Sequence, residues 1–583
     1  MSHDAGAAAR QGRAARPGAA PGPGAGSGGS RAGRAGLAVT ALSVAATIAA
    51  GLAGPSAVEP ALPGRPGQPP WAFGLHLPPH AAISLAAVAL AAGTVGLGLC
   101  LHAIRRGWAV SPRAILAAGL IAAAVITLVP PFGSSDHLSY AAYGRMVVTG
   151  HNPYLTTPAM LARIGDPVAR AVQDWRTSPS VYGSLATGGQ ALASWIGGDS
   201  ARLTVFVLSL LGLAAFAGTG LLLHVLTRGS RERQLRAGLL WTLNPLLLQV
   251  LVAGAHVDSQ AIVFGVAAVA IFALGMRKPS VRIHPLQLLA VAAAAGAMAG
   301  LASAVKLSFV LVAVGLEVAA LLAWWPRPAD RPAPDRPVPD RRGPAPGTWR
   351  PLMLAVSGVA AGFAATVVVA FLPWGVGSVA PALRAGKLVS IGSPWRAVRS
   401  GLHLWLRVGE GYADNLVRAG AIVLAVLLVA LFARPLLGLA GLPGRRGPGD
   451  PAGLRPAATG PAAVGDLTAL TAASVFVFGF AWLVAWPYVL PWYDGLAWAL
   501  LALLPWTSLP WAVLDWLLLA RTAALAFGYL PARGITLPAD LGWLQSVVRT
   551  AVTPVILLAV TVVLVAVLWP RRPAPPAPAA TPR

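Results

Sequence analysis

The chain has 583 residues, of which 56% are hydrophobic and only 11% charged, and its mean hydropathy is +0.68. A soluble domain carries roughly a quarter of its residues charged, so this chain has too few charges to coat a water-facing surface. Its net charge of +25 lies in short clusters between apolar runs and not on one folded face, which excludes nucleic acid as the partner and points to membrane lipids and their headgroups. Cys100 is the only cysteine, so neither a disulfide framework nor a thiol metal site is expected.

Taken in order, residues 1–35 are Ala, Gly, Pro, Ser and Arg without apolar periodicity and read as a disordered tail. Apolar stretches of membrane-crossing length follow at 36–54, 81–101, 113–130, 202–227, 237–253, 259–276, 285–303, 307–325, 352–373, 418–433, 467–486, 494–511, 513–530 and 550–569, each near the roughly 20 residues a spanning helix needs. The expectation is an all-α polytopic membrane protein, a bundle of about 14 transmembrane helices. The stretches 285–325 and 494–530 have few polar breaks and divide in more than one way. Residues 36–325 form an expected N-terminal transmembrane module, 326–350 a basic Pro-rich linker, 351–570 a C-terminal module and 571–583 a tail. The first stretch reads as an anchor, because a signal peptide would have an unusually long n-region.

Positive charge concentrates on cytoplasmic loops. With Arg10, Arg13, Arg16, Arg31 and Arg34 inside, alternate loops hold Arg105 and Arg106, then Arg228, Arg231 and Arg233, then Arg277, Lys278 and Arg282. The linker 326–350, the segment with Arg445, Arg446 and Arg455, and the closing Arg571 and Arg572 fall on the same side. The expected setting is a bacterial plasma membrane with the N-terminus cytoplasmic. The opposite loops differ in kind: 131–201 is long and aromatic, and 374–417 alternates Trp, Leu and Arg as interfacial helices do. Function is expected on that extracytoplasmic face, because loops on a rigid scaffold commonly carry it.

The segment PFGSSDHLSYAAYGRMVVTGHNPY, residues 131–154, reads as a short helix starting near Asp136, capped by Ser135 or Ser134 and stopped before Gly150. Asp136, Tyr140 and Tyr143 then share one face. A carboxylate beside phenols, with His137 and Arg145 near, suits deprotonation of a hydroxyl while cations hold a phosphate. The plainer alternative is a first-turn carboxylate and an aromatic belt. His256 and Asp258 lie at a helix boundary where polar groups are costly, as substrate contacts or as a cap; no metal site is argued from two residues. Lys306 stands in an apolar stretch, either neutralising a lipid phosphate or snorkelling. Arg396, Arg399 and the tract containing Trp486, Tyr488, Trp492, Tyr493 and Asp494 add cations and aromatic faces on which sugars stack.

These features, in this order, resemble the actinobacterial polyprenol-phosphomannose-dependent α-1,6-mannosyltransferases, the MptA/MptB family within the GT-C glycosyltransferases. The resemblance rests on SSDHLSYAAYGRMVVTGHNPY, SVYGSLA (180–186), LNPLLLQVLVAGAHVDSQ (243–260), GLASAVKLSFV (300–310) and YVLPWYDGLAWALLALLP (488–505). It implies a GT-C-like bundle whose large outer loop, 131–201, is catalytic. It also implies transfer of mannose from polyprenyl-phosphate-mannose to an α-1,6-mannan or lipoglycan acceptor, with inversion. No cofactor is implied, since the lipid-linked sugar is itself the substrate, and no Gly-rich nucleotide loop is visible. By that likeness Asp136 is the general base; where such enzymes often show two adjacent acids, this chain has Asp136 followed by His137. Lys306, Arg145 and Arg396 are assigned to the donor phosphate. His137, Tyr140, Tyr143, Tyr154, Tyr182, His256, Asp258, Trp492 and Tyr493 are assigned to the sugar or acceptor. A lipid-linked sugar flippase or other transporter is the alternative from another class, and a transferase with another sugar or acceptor is the alternative within the superfamily.

Overall fold

A computed structural model describes residues 25–276, 284–324, 349–441, 467–531 and 533–570. Among these residues there is no strand, and 11 helices are long and apolar enough to cross a membrane, with two shorter apolar helices beside them. The protein is a polytopic all-α membrane protein. The order is α1 (Ala25–Ala53), α2 (Pro79–Arg105), α3 (Pro112–Thr127), α4 (Asp136–Val148), α5 (Ser184–Gly197), α6 (Ala201–Leu226), α7 (Arg231–Leu240), α8 (Asp258–Gly275) and α9 (Pro285–Val305). Then come α10 (Val310–Ala323), α11 (Trp349–Phe371), α12 (Pro394–Leu406), α13 (Glu410–Leu439), α14 (Leu467–Ala485), α15 (Gly495–Leu501), α16 (Trp511–Tyr529) and α17 (Thr553–Leu568). Local chemistry marks the starts. Pro occupies the first turn of α2, α3 and α9, where its missing N–H costs nothing, and the side chains of Ser111, Ser200 and Ser230 accept from backbone N–H groups of α3, α6 and α7.

Two expectations need correction. The first helix starts at Ala25, so the tail read over 1–35 loses its last residues to α1. The stretch 494–511 does not form a spanning helix: a 3-10 turn at Pro491–Asp494 leads into α15, which is seven residues long and buried throughout. Pro505 and Pro510 prevent continuation, and irregular backbone is tolerated at that depth because protein covers it. Asp494 accepts from Arg521 Nε at 3.0 Å and Thr522 Oγ1 at 2.8 Å, and Trp498 Nε1 donates to Thr522 at 3.0 Å, so α15 is tied to the middle of α16. Asp494 is thus a scaffold carboxylate.

Helices approach closely where side chains are absent. A Cβ on Gly296 of α9 would sit 2.1 Å from the Val359 carbonyl oxygen of α11, and one on Gly362 of α11 would sit 2.0 Å from that of Ala293. Such small-residue contacts replace the hydrophobic drive that lipid removes. One continuous core reaches from Ala50 to Leu568 and runs through both expected modules. α4 and α5 cross one end of the bundle, with Gly144 against the backbone of Gln190.

At the opposite end Arg105 and Arg106 close α2, and Gly29 of α1 packs against the Arg106 carbonyl. Arg228, Arg231 and Arg233 join α6 to α7 there. Arg236 Nη2 pairs with Asp515 Oδ1 at 2.5 Å and Arg105 Nη2 with Asp515 Oδ2 at 3.3 Å, locking α2, α7 and α16 together. Arg10, Arg13, Arg16, Arg277, Lys278, Arg282, nearly all of the 326–350 linker, Arg445, Arg446, Arg455, Arg571 and Arg572 lie outside the described residues, as does the 571–583 tail.

Candidate active site

α4 begins where the sequence suggests, and of the two serines offered as cap it is Ser134 that accepts. Ser134 Oγ accepts from the Asp136 N–H at 3.1 Å, whereas the Ser135 hydroxyl donates to Asp174. Its end is a Schellman turn: Gly150 has φ +78°, and the His151 N–H returns to the Met146 carbonyl at 2.7 Å. Asp136 and Tyr140, one turn apart, converge on His256. Asp136 Oδ2 is 3.8 Å from His256 Nδ1, and the Tyr140 hydroxyl is 3.4 Å from the same nitrogen. Tyr182 donates to Tyr140 Oη at 3.3 Å, their rings meeting edge to face. Tyr143 turns aside and donates to the Ser178 carbonyl at 3.0 Å.

His256 is delivered by unusual backbone. After α7 the chain passes through a π-helical segment, Leu248–Ala253, and Ala255 takes φ +50°. A left-handed alanine costs roughly 1–2 kcal/mol, and π-helical turns concentrate at functional sites. The imidazole then stacks on Trp492, centroids 3.5 Å apart and planes 15° from parallel. Two residues on, Asp258 Oδ1 accepts from Lys306 Nζ at 2.6 Å, and that ammonium lies 3.5 Å from the centroid of the Tyr493 ring. Chain segments near 136, 256, 306 and 492 thus meet at the α4 end of the bundle.

Electrostatics separates the roles. Asp136 is only 9% exposed; burial, then the charges of Asp174 and Asp258, push its carboxyl up to about 7 against the pull of Lys306. Burial holds the His256 imidazole well below its ordinary range, helped by Lys306, so it stays neutral and can accept from Tyr140. Lys306 is lowered by burial and supported by Asp258.

The family comparison matches residues 34–323 to the model described as the alpha-(1->6)-mannopyranosyltransferase N-terminal domain. Over those residues, just under half of the chain, the sequence is similar to that family. Alpha-(1->6)-mannopyranosyltransferase B of Corynebacterium glutamicum is 32% identical over 137 residues, which are 23% of this chain and 23% of that relative. The chain thus spans about a quarter of the length of the curated relative it matches. No solved structure matches it.

The mannopyranosyltransferase domain match includes Asp136, His256, Asp258 and Lys306, whereas Trp492 and Tyr493 come from beyond it. Other candidates stand apart. Arg145 is held by Asp166, at 2.7 Å, and by Asp199, which makes it a brace between α4 and its loop. Tyr154 meets Thr187 Oγ1 at 2.9 Å and the edge of Trp374. Arg396 is exposed on α12, whose Trp395 donates to the Ala485 carbonyl at 2.7 Å. His137 is fully buried, both ring nitrogens lack partners among the described residues, and burial together with Arg533 lowers it to about 3.

Sequence reasoning missed four contributors. Asp174, in irregular chain, accepts from Ser135 and through its carbonyl from Ser139 at 3.4 Å. Arg533 reaches back to the Glu59 carbonyl at 2.8 Å and to Gln173 Oε1 at 3.1 Å. Glu59 is buried, and burial raises its carboxyl to about 9 against Arg533 and Arg202. Tyr529 packs edge-on to Trp492 at 5.2 Å. None lies at a helical spacing from Asp136; only the costly glutamate in an apolar loop carried a signal. Among the described residues no cluster of three or more His, Cys, Asp or Glu is placed to hold a metal.

Proposed function

We propose that the protein transfers mannose from polyprenyl-phosphate-mannose to a hydroxyl of an α-1,6-mannan or lipoglycan acceptor, at the extracytoplasmic face of the membrane. The observation that carries this reading is a buried carboxylate, Asp136, within the electrostatic reach of a half-buried lysine, Lys306, at one end of a membrane bundle. The family match supports the sugar and the linkage.

In the proposed step Asp136 takes the proton of the acceptor hydroxyl as that oxygen forms its bond to the anomeric carbon. The bond from that carbon to the phosphate oxygen breaks, and its electron pair leaves with the polyprenyl phosphate. Such a leaving group needs a cation more than a proton, which Lys306 supplies in a low-dielectric site. Inversion to an α product requires a β-linked donor. Tyr140, Tyr182 and Trp492 bound the sugar's space, with His256 fixing the phenol of Tyr140.

Asp136→Asn keeps the shape and removes the base, so transfer in membranes should fall by about 10²–10⁴-fold while the protein still inserts. Transfer of radiolabelled mannose within tenfold of wild type would remove Asp136 from the mechanism. Linkage analysis of the wild-type product tests sugar and linkage together: a 1,6-linked mannose is expected, and another sugar or linkage would overturn the assignment.

A further inference from the structure

The segment that joins two spanning helices, α11 and α13, carries a charge pattern for which the transfer chemistry has no use. Residues 374–409 hold Arg384, Lys387, Arg396, Arg399 and Arg407, and no Asp or Glu. The segment lies at the end of the bundle that holds Asp136 and Lys306: Trp374 meets the ring of Tyr154, and the Ser390 hydroxyl donates to the Val489 carbonyl at 3.0 Å, close to Trp492. The large loop 131–201 at the same end is balanced, with four Arg and four Asp. Membrane proteins gather their unpaired cations on one side, and the arginine-rich end of this bundle is the other one. A second basic segment therefore needs an anionic partner.

The setting of the cations says what kind of partner. Of the five, only Arg399 has an ion-pair partner among the described residues, Asp414 at 2.6 Å; Arg384, Lys387, Arg396 and Arg407 are exposed. On α12, Arg396, Ser400 and His403 fall on one face and Val398, Leu402 and Trp405 on the opposite one. No residue of α12 is fully buried, and Trp405 is 86% exposed. Trp395 pins the start of the helix to the Ala485 carbonyl at 2.7 Å, which holds α12 at the rim of the bundle between the ends of two spans. A soluble polyanion would satisfy the cations and leave Leu404, Trp405 and Leu406 in water. A lipid leaflet offers phosphates to the cations and acyl chains to the apolar face.

We propose that residues 384–407 form a docking surface for anionic phospholipid headgroups in the leaflet at the α4 end. Arg384, Lys387, Arg396 and Arg407 meet the phosphates, while Val398, Leu402 and Trp405 sit among the first carbons of the chains. Arg396, expected from the sequence at the donor phosphate, is thereby given a bulk-lipid phosphate as its partner.

The test uses the full-length chain with Cys100→Ala and Ala397→Cys, a fluorophore on the new thiol, reconstituted in phosphatidylcholine vesicles. A small, equal fraction of the lipid is replaced by doxyl-labelled phosphatidylglycerol or by doxyl-labelled phosphatidylcholine. At low salt the anionic lipid should quench at least about threefold more strongly. The ratio should fall toward one at about 1 M salt, where the screening length is about 3 Å. With Arg384→Gln, Lys387→Gln, Arg396→Gln and Arg407→Gln combined, the ratio should be one at either salt concentration.

Equal quenching by the two lipids in the protein that keeps its cations overturns the proposal, and that measurement stands even where the fourfold variant does not fold. A preference that survives the four substitutions overturns it as well. So does a label that ignores lipid charge but responds to a soluble acidic polysaccharide in pure phosphatidylcholine vesicles, which would assign the cluster to glycan. None of these readouts involves sugar transfer, so failure here leaves the donor reading where it stands.

Discussion

Asp136 sits in an environment that opposes its own charge, and the role of base proposed for it requires that charge. Its raised value, about 7, comes from burial first and from Asp174 and Asp258 next. The sign follows directly: below pH 7 the carboxyl is protonated and cannot accept, so the transfer rate should rise about tenfold per unit up to 7 and level above it. Asp174→Asn removes a neighbouring negative charge, so the acid limb of that profile should move to lower pH; a limb that stays in place would show that Asp174 does not tune the base. Much of this was legible in the sequence. The spacing of Asp136, Tyr140 and Tyr143 predicted one helical face, although Tyr143 spends its hydroxyl on the Ser178 carbonyl. Lys306 declared itself as a charge in an apolar run, but Asp258 as its partner came only from the fold. Asp174 left no trace because irregular chain has no period to read. Arg145 shows the converse: a cation beside the candidate base is occupied by two carboxylates that sequence distance hides.

At the scale of helices, apolar length was a good guide wherever the helix faces lipid. It failed at 494–511, because hydropathy cannot tell a lipid-facing span from a short segment enclosed by protein, and α15 is the second kind. The glycines of α9 and α11 are likewise ordinary in sequence and decisive in packing. Gly296→Leu should push the two helices apart and cost about 1–3 kcal/mol, as overpacking of a tight contact does. A melting temperature in detergent equal to wild type would show that this contact yields freely. α9 ends at Lys306, so a separation there should also raise KM before it unfolds the chain.

For the whole molecule, the arginine-rich end and the α4 end divide the labour. Asp515 pairs with buried Arg236 and with the more exposed Arg105, and breaking a buried pair such as Arg236–Asp515 by removing one partner costs about 3–5 kcal/mol. Asp515→Asn should therefore lower the melting temperature steeply while leaving the pH profile of any residual transfer unchanged. Sidedness has its own test, helped by Cys100 being the only cysteine and buried. In a Cys100→Ala background, Gly150→Cys should react with an impermeant maleimide from outside intact cells, and Arg228→Cys only after permeabilisation; the reverse pattern would invert the topology. The stack of His256 on Trp492 also sets a clock. At 5–20 residues per second, ribosomes take on the order of 20–70 s to pass from Asp136 to Trp492. Until then the nascent chain holds Asp136 and Lys306 with no aromatic wall behind them. A chain cut short before Trp492 would lack that wall altogether, so quality control of about the last sixth of the message governs how much activity a cell obtains.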